Sequence, residues 1–90
     1  MMDEDAISKI LSRKGLRIIR YLYNNGYATL RMLEKALRIN GVTAREYIKL
    51  LSRYGIINVK RVGRAYVITL NREGKYTKAI IKFLKQVGYL

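Results

Sequence analysis

The stretch Thr29-Leu30-Arg31-Met32-Leu33-Glu34-Lys35-Ala36-Leu37-Arg38-Ile39-Asn40-Gly41-Val42-Thr43-Ala44-Arg45-Glu46-Tyr47-Ile48-Lys49-Leu50-Leu51-Ser52-Arg53-Tyr54-Gly55 decides the fold. Leu30, Leu33, Ala36 and Leu37 recur at helical spacing, and Thr29 before them is a good N-cap, although the capping-box position lacks Glu or Gln. Arg38-Ile39-Asn40-Gly41 is a four-residue break. Asn40 then caps a second helix, predicted over 42–54, with Ala44, Ile48, Leu51 and Tyr54 on its inward face. Leu50 lies off that stripe and suits a neighbouring helix or a second subunit. Gly55 stops the helix. Two helices joined by so short a break make a helix-turn-helix.

Downstream, the apolar period drops to two. Residues 57–61 and 65–70 are rich in β-branched and aromatic side chains, and Val62-Gly63-Arg64 between them is a compact turn, so 57–70 reads as a β-hairpin. Asn71 is the expected cap of a last helix over 72–87, with Tyr76, Ile80, Phe83, Leu84 and Val87 on one side. Upstream, residues 4–24 are helical in pattern, with Ile7, Ile10 and Leu11 followed by Ile18, Ile19, Leu22 and Tyr23. Gly15 is the expected division within them, and Asn24-Asn25-Gly26 is a strong stop. Helix, helix, break, helix, hairpin, helix is a mainly α arrangement with a β-hairpin wing (α+β), a winged helix-turn-helix.

Composition agrees with one small domain spanning 1–90. Half of the 90 residues are hydrophobic, too many for a disordered basic tail. No apolar run approaches the roughly 20 residues of a membrane span. The acidic start, Met1-Met2-Asp3-Glu4-Asp5, argues against an export signal. Cys and His are absent, which removes disulfides, Cys/His zinc sites, thiol catalysis and imidazole chemistry. Beyond residue 5, Glu34, Glu46 and Glu73 are the remaining carboxylates, and their spacing fits neither a metal site nor a paired-acid site. We expect no enzyme, no metal and no cofactor.

Nineteen Lys+Arg against six Asp+Glu give a formal charge of +13. Residues 6–90 hold all 19 basic side chains and only 3 acidic ones, a net +16. Self-repulsion on this scale weakens a small fold, so a polyanionic partner is its natural explanation: DNA, RNA, an anionic membrane or an acidic protein. The plainer reading is a soluble, very basic surface.

Residues 11–19, Leu-Ser-Arg-Lys-Gly-Leu-Arg-Ile-Ile, are similar to the opening helix of small prokaryotic, especially archaeal, winged-helix regulators. Residues 32–44 resemble the helix-turn-helix core of that family, with Ile39 at the apolar turn position and Arg38 where the family often has Gly. Leu51-Ser52-Arg53-Tyr54-Gly55-Ile56-Ile57 looks like the family's passage from recognition helix to wing. Leu70-Asn71-Arg72-Glu73-Gly74 resembles its leucine-threonine-x-x-glycine step, with Asn71 in place of Thr. The resemblance, over about residues 11–87, is to the MarR/ArsR/HxlR type and selects no subfamily. It implies a cytoplasmic, nucleoid-associated transcriptional regulator that binds double-stranded DNA as a homodimer through its terminal helices, 4–24 and 72–87, without a membrane.

On this reading Thr43, Arg45, Glu46, Lys49 and Arg53 face outward from the recognition helix. Arg45 is suited to a bidentate contact with guanine, and Thr43 to a phosphate or a thymine methyl. Glu46 either accepts from cytosine or, the duller and favoured role, orients Arg45 or Lys49. Lys60, Arg61 and Arg64 at the wing suit the backbone or minor groove, and also guard a strand edge. Asn25, Thr29 and Arg31 near the start of the second helix suit another phosphate. Ile7, Ile10 and Leu11 are set against Tyr76, Ile80, Phe83 and Val87 of a second subunit, or these helices cover their own core. The lysine run 75, 78, 82 and 85 reads as a solvated face. Of the eight tyrosines, Tyr27 and Tyr47 are the two placed at a ligand surface. A non-specific architectural DNA-binding protein and a winged-helix protein adaptor are the competing readings.

Overall fold

The computed structural model describes residues 1–90. Chain order is α1 (Glu4–Ile10), α2 (Arg13–Asn25), β1 (Ala28–Thr29), α3 (Leu30–Leu37), α4 (Gly41–Arg53), β2 (Ile57–Val62), β3 (Ala65–Leu70) and α5 (Lys75–Gln86). The strands form one antiparallel sheet in the order β1-β3-β2. The winged helix-turn-helix expected from the sequence is the fold observed. Ile18, Ile19 and Leu22 of α2, Leu33 of α3, Ala44 and Leu51 of α4, Ile56 just before β2, Ile68 of β3 and Leu84 of α5 meet in a single core.

The division of the leading region falls at Leu11-Ser12, not at Gly15. Ser12 caps α2, accepting from the Gly15 amide at 3.3 Å. Gly15 lies inside the first turn of α2, pressed against the end of α1. A Cβ there would lie 2.7 Å from the Lys9 carbonyl oxygen and closer still to that of Ile10. The glycine therefore permits a close crossing of helices rather than a break.

β1 is an element the periodicity did not show. Two residues cannot display alternation, and their pairing, Ala28 with Ile68 and Thr29 with Val67, is non-local. Thr29 ends β1 and caps α3, its hydroxyl accepting from the Met32 amide at 3.2 Å. The Met32 sulfur accepts in return from the Thr29 amide at 3.4 Å, closing the capping box without Glu or Gln.

The turn between α3 and α4 comprises Arg38, Ile39 and Asn40. Arg38 adopts φ 55°, ψ 48°, the left-handed conformation in which Gly is usual. Ile39 is buried under the turn, and Asn40 caps α4 through the Thr43 amide at 2.8 Å. α4 therefore begins one residue earlier than expected. The hairpin turn is Gly63-Arg64, with Val62 opposite Ala65. Gly63, at φ 62°, occupies the first central position of a two-residue hairpin loop, where L-residues are disfavoured.

Asn71 does not cap the last helix. Gly74 occupies the N-cap, without a side-chain bond, and α5 starts at Lys75. The Asn71 amide side chain donates instead to the Gly55 carbonyl at 2.9 Å, and its backbone N–H to the Ile56 carbonyl at 2.8 Å. The buried Thr77 hydroxyl also lies against these carbonyls, 3.3 Å from Ile56 and 3.5 Å from Gly55. Residues 71–77 thus latch the end of α4 to the start of α5, satisfying carbonyls that the turn at Gly55 leaves free.

Candidate nucleic-acid interface

α4 is held by Ala44, Tyr47 and Leu51, all buried. This moves the inward face expected at Ala44, Ile48 and Leu51: Tyr47 takes the central place, and Ile48 is half-buried on the wing side. Tyr47, expected at a ligand surface, therefore belongs to the core. Its ring is covered by the Lys9 ammonium at 5.5 Å, and its hydroxyl lies 3.0 Å from Ser12 Oγ. Tyr47 lay off the expected Ala44, Ile48 and Leu51 stripe, but most of its surface is apolar and the packing of α1 covers it. Tyr27 is exposed, as expected. Leu50 turns towards α1, beside Ala6 and Lys9.

The outward residues divide between two flanks. Arg45 and Lys49, both exposed, border a hollow of about 500 Å³ between α4 and the wing, walled by Leu30, Ile48, Val59, Tyr66 and Ile68. Glu46 lies on the other flank. Its carboxylate is 3.5 Å from the Lys9 ammonium of α1, and it lines a hollow with Lys9, Lys49, Leu50 and Arg53. Packing of α1 beside α4 explains the pairing, because it supplies a cation that the local spacing could not reveal. The pair is solvent-exposed and contributes little to stability. Arg53 is exposed near the end of α4 and Thr43 is half-buried at its start.

Lys60, Arg61 and Arg64 are all exposed on the wing. Alternation separates them: Arg61 shares its face of the ribbon with Val59, Tyr66 and Ile68, the face towards α4, while Lys60 points to the opposite one. Arg61 Nε donates to the Gly63 carbonyl at 3.1 Å, drawing that guanidinium across the turn. At the start of α3, Thr29 is committed to its capping bond and Arg31 is the free cation. Arg45 and Lys49 thus border the hollow between α4 and the wing, Arg61 shares the wing face that walls it, and Arg64 is exposed at the wing tip. Sequence reasoning missed Lys9, which carries no local motif and is brought against α4 by the packing of α1.

The apolar residues of the terminal helices also sort differently. Ile10 is fully buried in the core and is unavailable to a second subunit. Ile7, Leu11, Phe83 and Val87 are exposed. Met2, Ile7, Leu11, Tyr76, Ala79 and Ile80 line a wholly apolar depression of about 170 Å³ between α1 and α5. The tyrosine ring there packs edge-on against Tyr54, with centroids 6.0 Å apart. No helix is long and apolar enough to cross a membrane.

Neither a family model nor a curated protein matches this sequence. Solved structures do. HlyU from Vibrio cholerae is similar along 99% of this chain and 100% of its own, with a TM-score of 0.75 and 19% identity. A transcriptional regulator homologue from Pyrococcus horikoshii gives a TM-score of 0.67 at 20% identity, covering 92% of this chain and 93% of that one. BpsR of Bordetella bronchiseptica, whose DNA binding is regulated by 6-hydroxynicotinic acid, gives 0.68 at 20% identity over 92% of this chain and 65% of that one. These likenesses establish the class of fold, a winged helix shared with transcriptional regulators.

Proposed function

We propose that this protein is a double-stranded DNA-binding transcriptional regulator that reads its site with α4 in the major groove and grips the flanking backbone or minor groove with the β2–β3 wing. The observation that carries this reading is an exposed cationic surface: Arg45 and Lys49 of α4 border the hollow whose wing wall shares its face with Arg61, and Arg64 is exposed at the wing tip. It stands on a helix pinned from behind by Ala44, Tyr47 and Leu51. A helix so held presents its N-terminal side chains to base edges without an ordering cost at the moment of binding. Arg45 supplies base discrimination; Lys49, Arg53, Arg64 and Arg31 supply phosphate contacts; Thr43, at the first turn, lies where a backbone or thymine-methyl contact falls. Lys60, on the far face of the ribbon, reaches a phosphate only from the outer side of the wing.

The active species is a homodimer formed through α1 and α5. Exposed Ile7, Leu11, Phe83 and Val87, together with the apolar depression beside Tyr76 and Ile80, support this, because a second subunit would remove these large apolar side chains from water. Two recognition helices about 34 Å apart then select a roughly palindromic site. Such a protein works at the nucleoid in the cytoplasm, by occupancy rather than catalysis, without metal or cofactor.

Selection of bound duplexes from a random pool tests the proposal. Enrichment of an inverted repeat supports it. Recovery of unselected sequence, with affinity that falls about 10³–10⁵-fold between low and physiological salt, leaves the architectural reading instead. Indifference to duplex DNA leaves the protein-adaptor reading.

A further inference from the structure

The surface just described uses fewer than half of the basic residues. Arg13, Lys14, Arg17 and Arg20 lie on α2, whose buried positions are Gly15, Ile18, Ile19 and Leu22. Arg13, Arg17, Arg20 and Asn24 therefore form one stripe opposite the buried side. Arg72 and the lysines 75, 78, 82 and 85 add five more cations on and before α5. Glu73 is the single carboxylate among all these residues, and its one ion pair, with Lys78 at 3.7 Å, is fully exposed to screening.

Side chains join the two groups. The Arg20 guanidinium stacks 4.4 Å from the Tyr89 ring centroid, and the Tyr23 ring is flanked by Arg72 at 4.7 Å and Lys85 at 5.6 Å. Contact with Lys85 first, and then with Arg72, holds the Tyr23 phenol below its ordinary value near 10, a sign of positive potential at this spot. Next to Arg20 opens a hollow of about 400 Å³, lined by Arg17, Arg20, Asn24 and Asn25 of α2 and floored by Ala36 and Leu37 of α3. Guanidinium and amide donors around a groove of this size suit phosphate oxygens. Ala36, expected on the apolar face of α3, is exposed at this hollow.

We infer that the α2–α5 side of the molecule is a second nucleic-acid surface, which seats the phosphate backbone of another duplex in the Arg17–Arg20–Asn24 groove and along the α5 lysines. The groove and the two tyrosine stacks contain no residue of α4 or the wing, so a duplex against α4 leaves the cations of this side unneutralised. Linking two duplex segments rests on the α4-wing reading; binding at the second surface does not.

The test uses full-length protein, a random duplex and paired charge reversals of equal net change. In an Arg45→Glu/Lys49→Glu background, residual salt-dependent duplex binding is expected. Adding Arg20→Glu/Lys85→Glu weakens it at least tenfold, whereas adding Lys35→Glu/Arg38→Glu, on neither surface, changes it less than threefold. Equal losses from the two additions, or no residual binding in the starting background, overturn the inference. Binding of the starting variant to phosphatidylglycerol vesicles but not to duplex overturns it in favour of a membrane surface. If Arg45→Glu/Lys49→Glu alone leaves duplex affinity untouched, the α4 reading fails and the second surface stands as the sole site.

Discussion

Gly15 of α2 lies directly against the carbonyl oxygen of Ile10, so that the two helices cross with no room for a Cβ. Ile10 is fully buried at that crossing. Gly15→Ala must push α1 away, and α1 carries Lys9, which both covers Tyr47 and pairs with Glu46. A loss of about 1–3 kcal/mol in a urea titration is expected, the range for overpacking a tight site. Gly41→Ala, where the nearest neighbour is the flexible Glu34 carboxylate at 3.1 Å, is the milder comparison. Equal stability of Gly15→Ala and the parent chain would remove the crossing from the account.

The left-handed Arg38 gives the opposite sign. A non-glycine residue in this conformation carries a strain of roughly 1–2 kcal/mol, which glycine avoids at the expense of a more flexible unfolded chain. Arg38→Gly should leave the protein unchanged or stabilise it by up to about 1 kcal/mol. A marked fall in the urea midpoint would mean that the Arg38 side chain itself holds the turn.

For DNA reading, Arg45→Ala is expected to reduce the preference for the selected duplex over a scrambled one by about 1–3 kcal/mol. Arg64→Ala should instead weaken both duplexes alike and lower the salt slope by about one phosphate contact. Competition binding at fixed salt separates the two patterns. The same loss on both duplexes for Arg45→Ala would place that side chain on the backbone.

Because Phe83 and Val87 are exposed at 55% and 59%, replacing both with Asp costs the monomer's core little. Sedimentation should show a shift from dimer to monomer, with the helical circular dichroism retained. A dimer that survives the double replacement would move the interface away from α5.

Tyr23 should ionise below the ordinary phenol value. Its folded value is depressed, so the phenolate is favoured in the folded state. The linked stability is present above the unfolded value, is lost as pH falls through the folded one, and contributes nothing at neutral pH. Phenolate absorbance during an alkaline titration, as the difference between the parent chain and Tyr23→Phe, isolates the Tyr23 step, and Lys85→Gln should move that step to higher pH. A Tyr23 step unchanged in Lys85→Gln would dissociate Tyr23 from its cation.

Much of this architecture is local and was therefore readable. Thr29, Asn40, Gly55 and Gly63 act within a few residues of themselves, through caps and left-handed turns, so the helix-turn-helix and the hairpin followed from spacing. Where a residue had two local uses, distant contacts chose between them. Asn71 had the form of a helix cap, yet Gly55 and Ile56 offered carbonyls with no partner nearby, and the side chain went there. Gly15 had the form of a break, and the approach of α1 made it a crossing point. Within the candidate interface, the outward placement of Arg45, Lys49 and Arg53 was legible, because burial of Ala44 and Leu51 fixes the rotation of α4.

By itself, then, the chain's order of residues determined the class of fold, the cationic character and the identity of the exposed helix, since each depends on periodicity, capping or composition. Tertiary structure alone decided that Tyr47 and Ile10 are core, that Glu46 answers to Lys9, and that Arg20 meets Tyr89 while Lys85 meets Tyr23. Those outcomes depend on which elements come to lie side by side, and the contacts between residues distant in sequence leave no trace in local spacing.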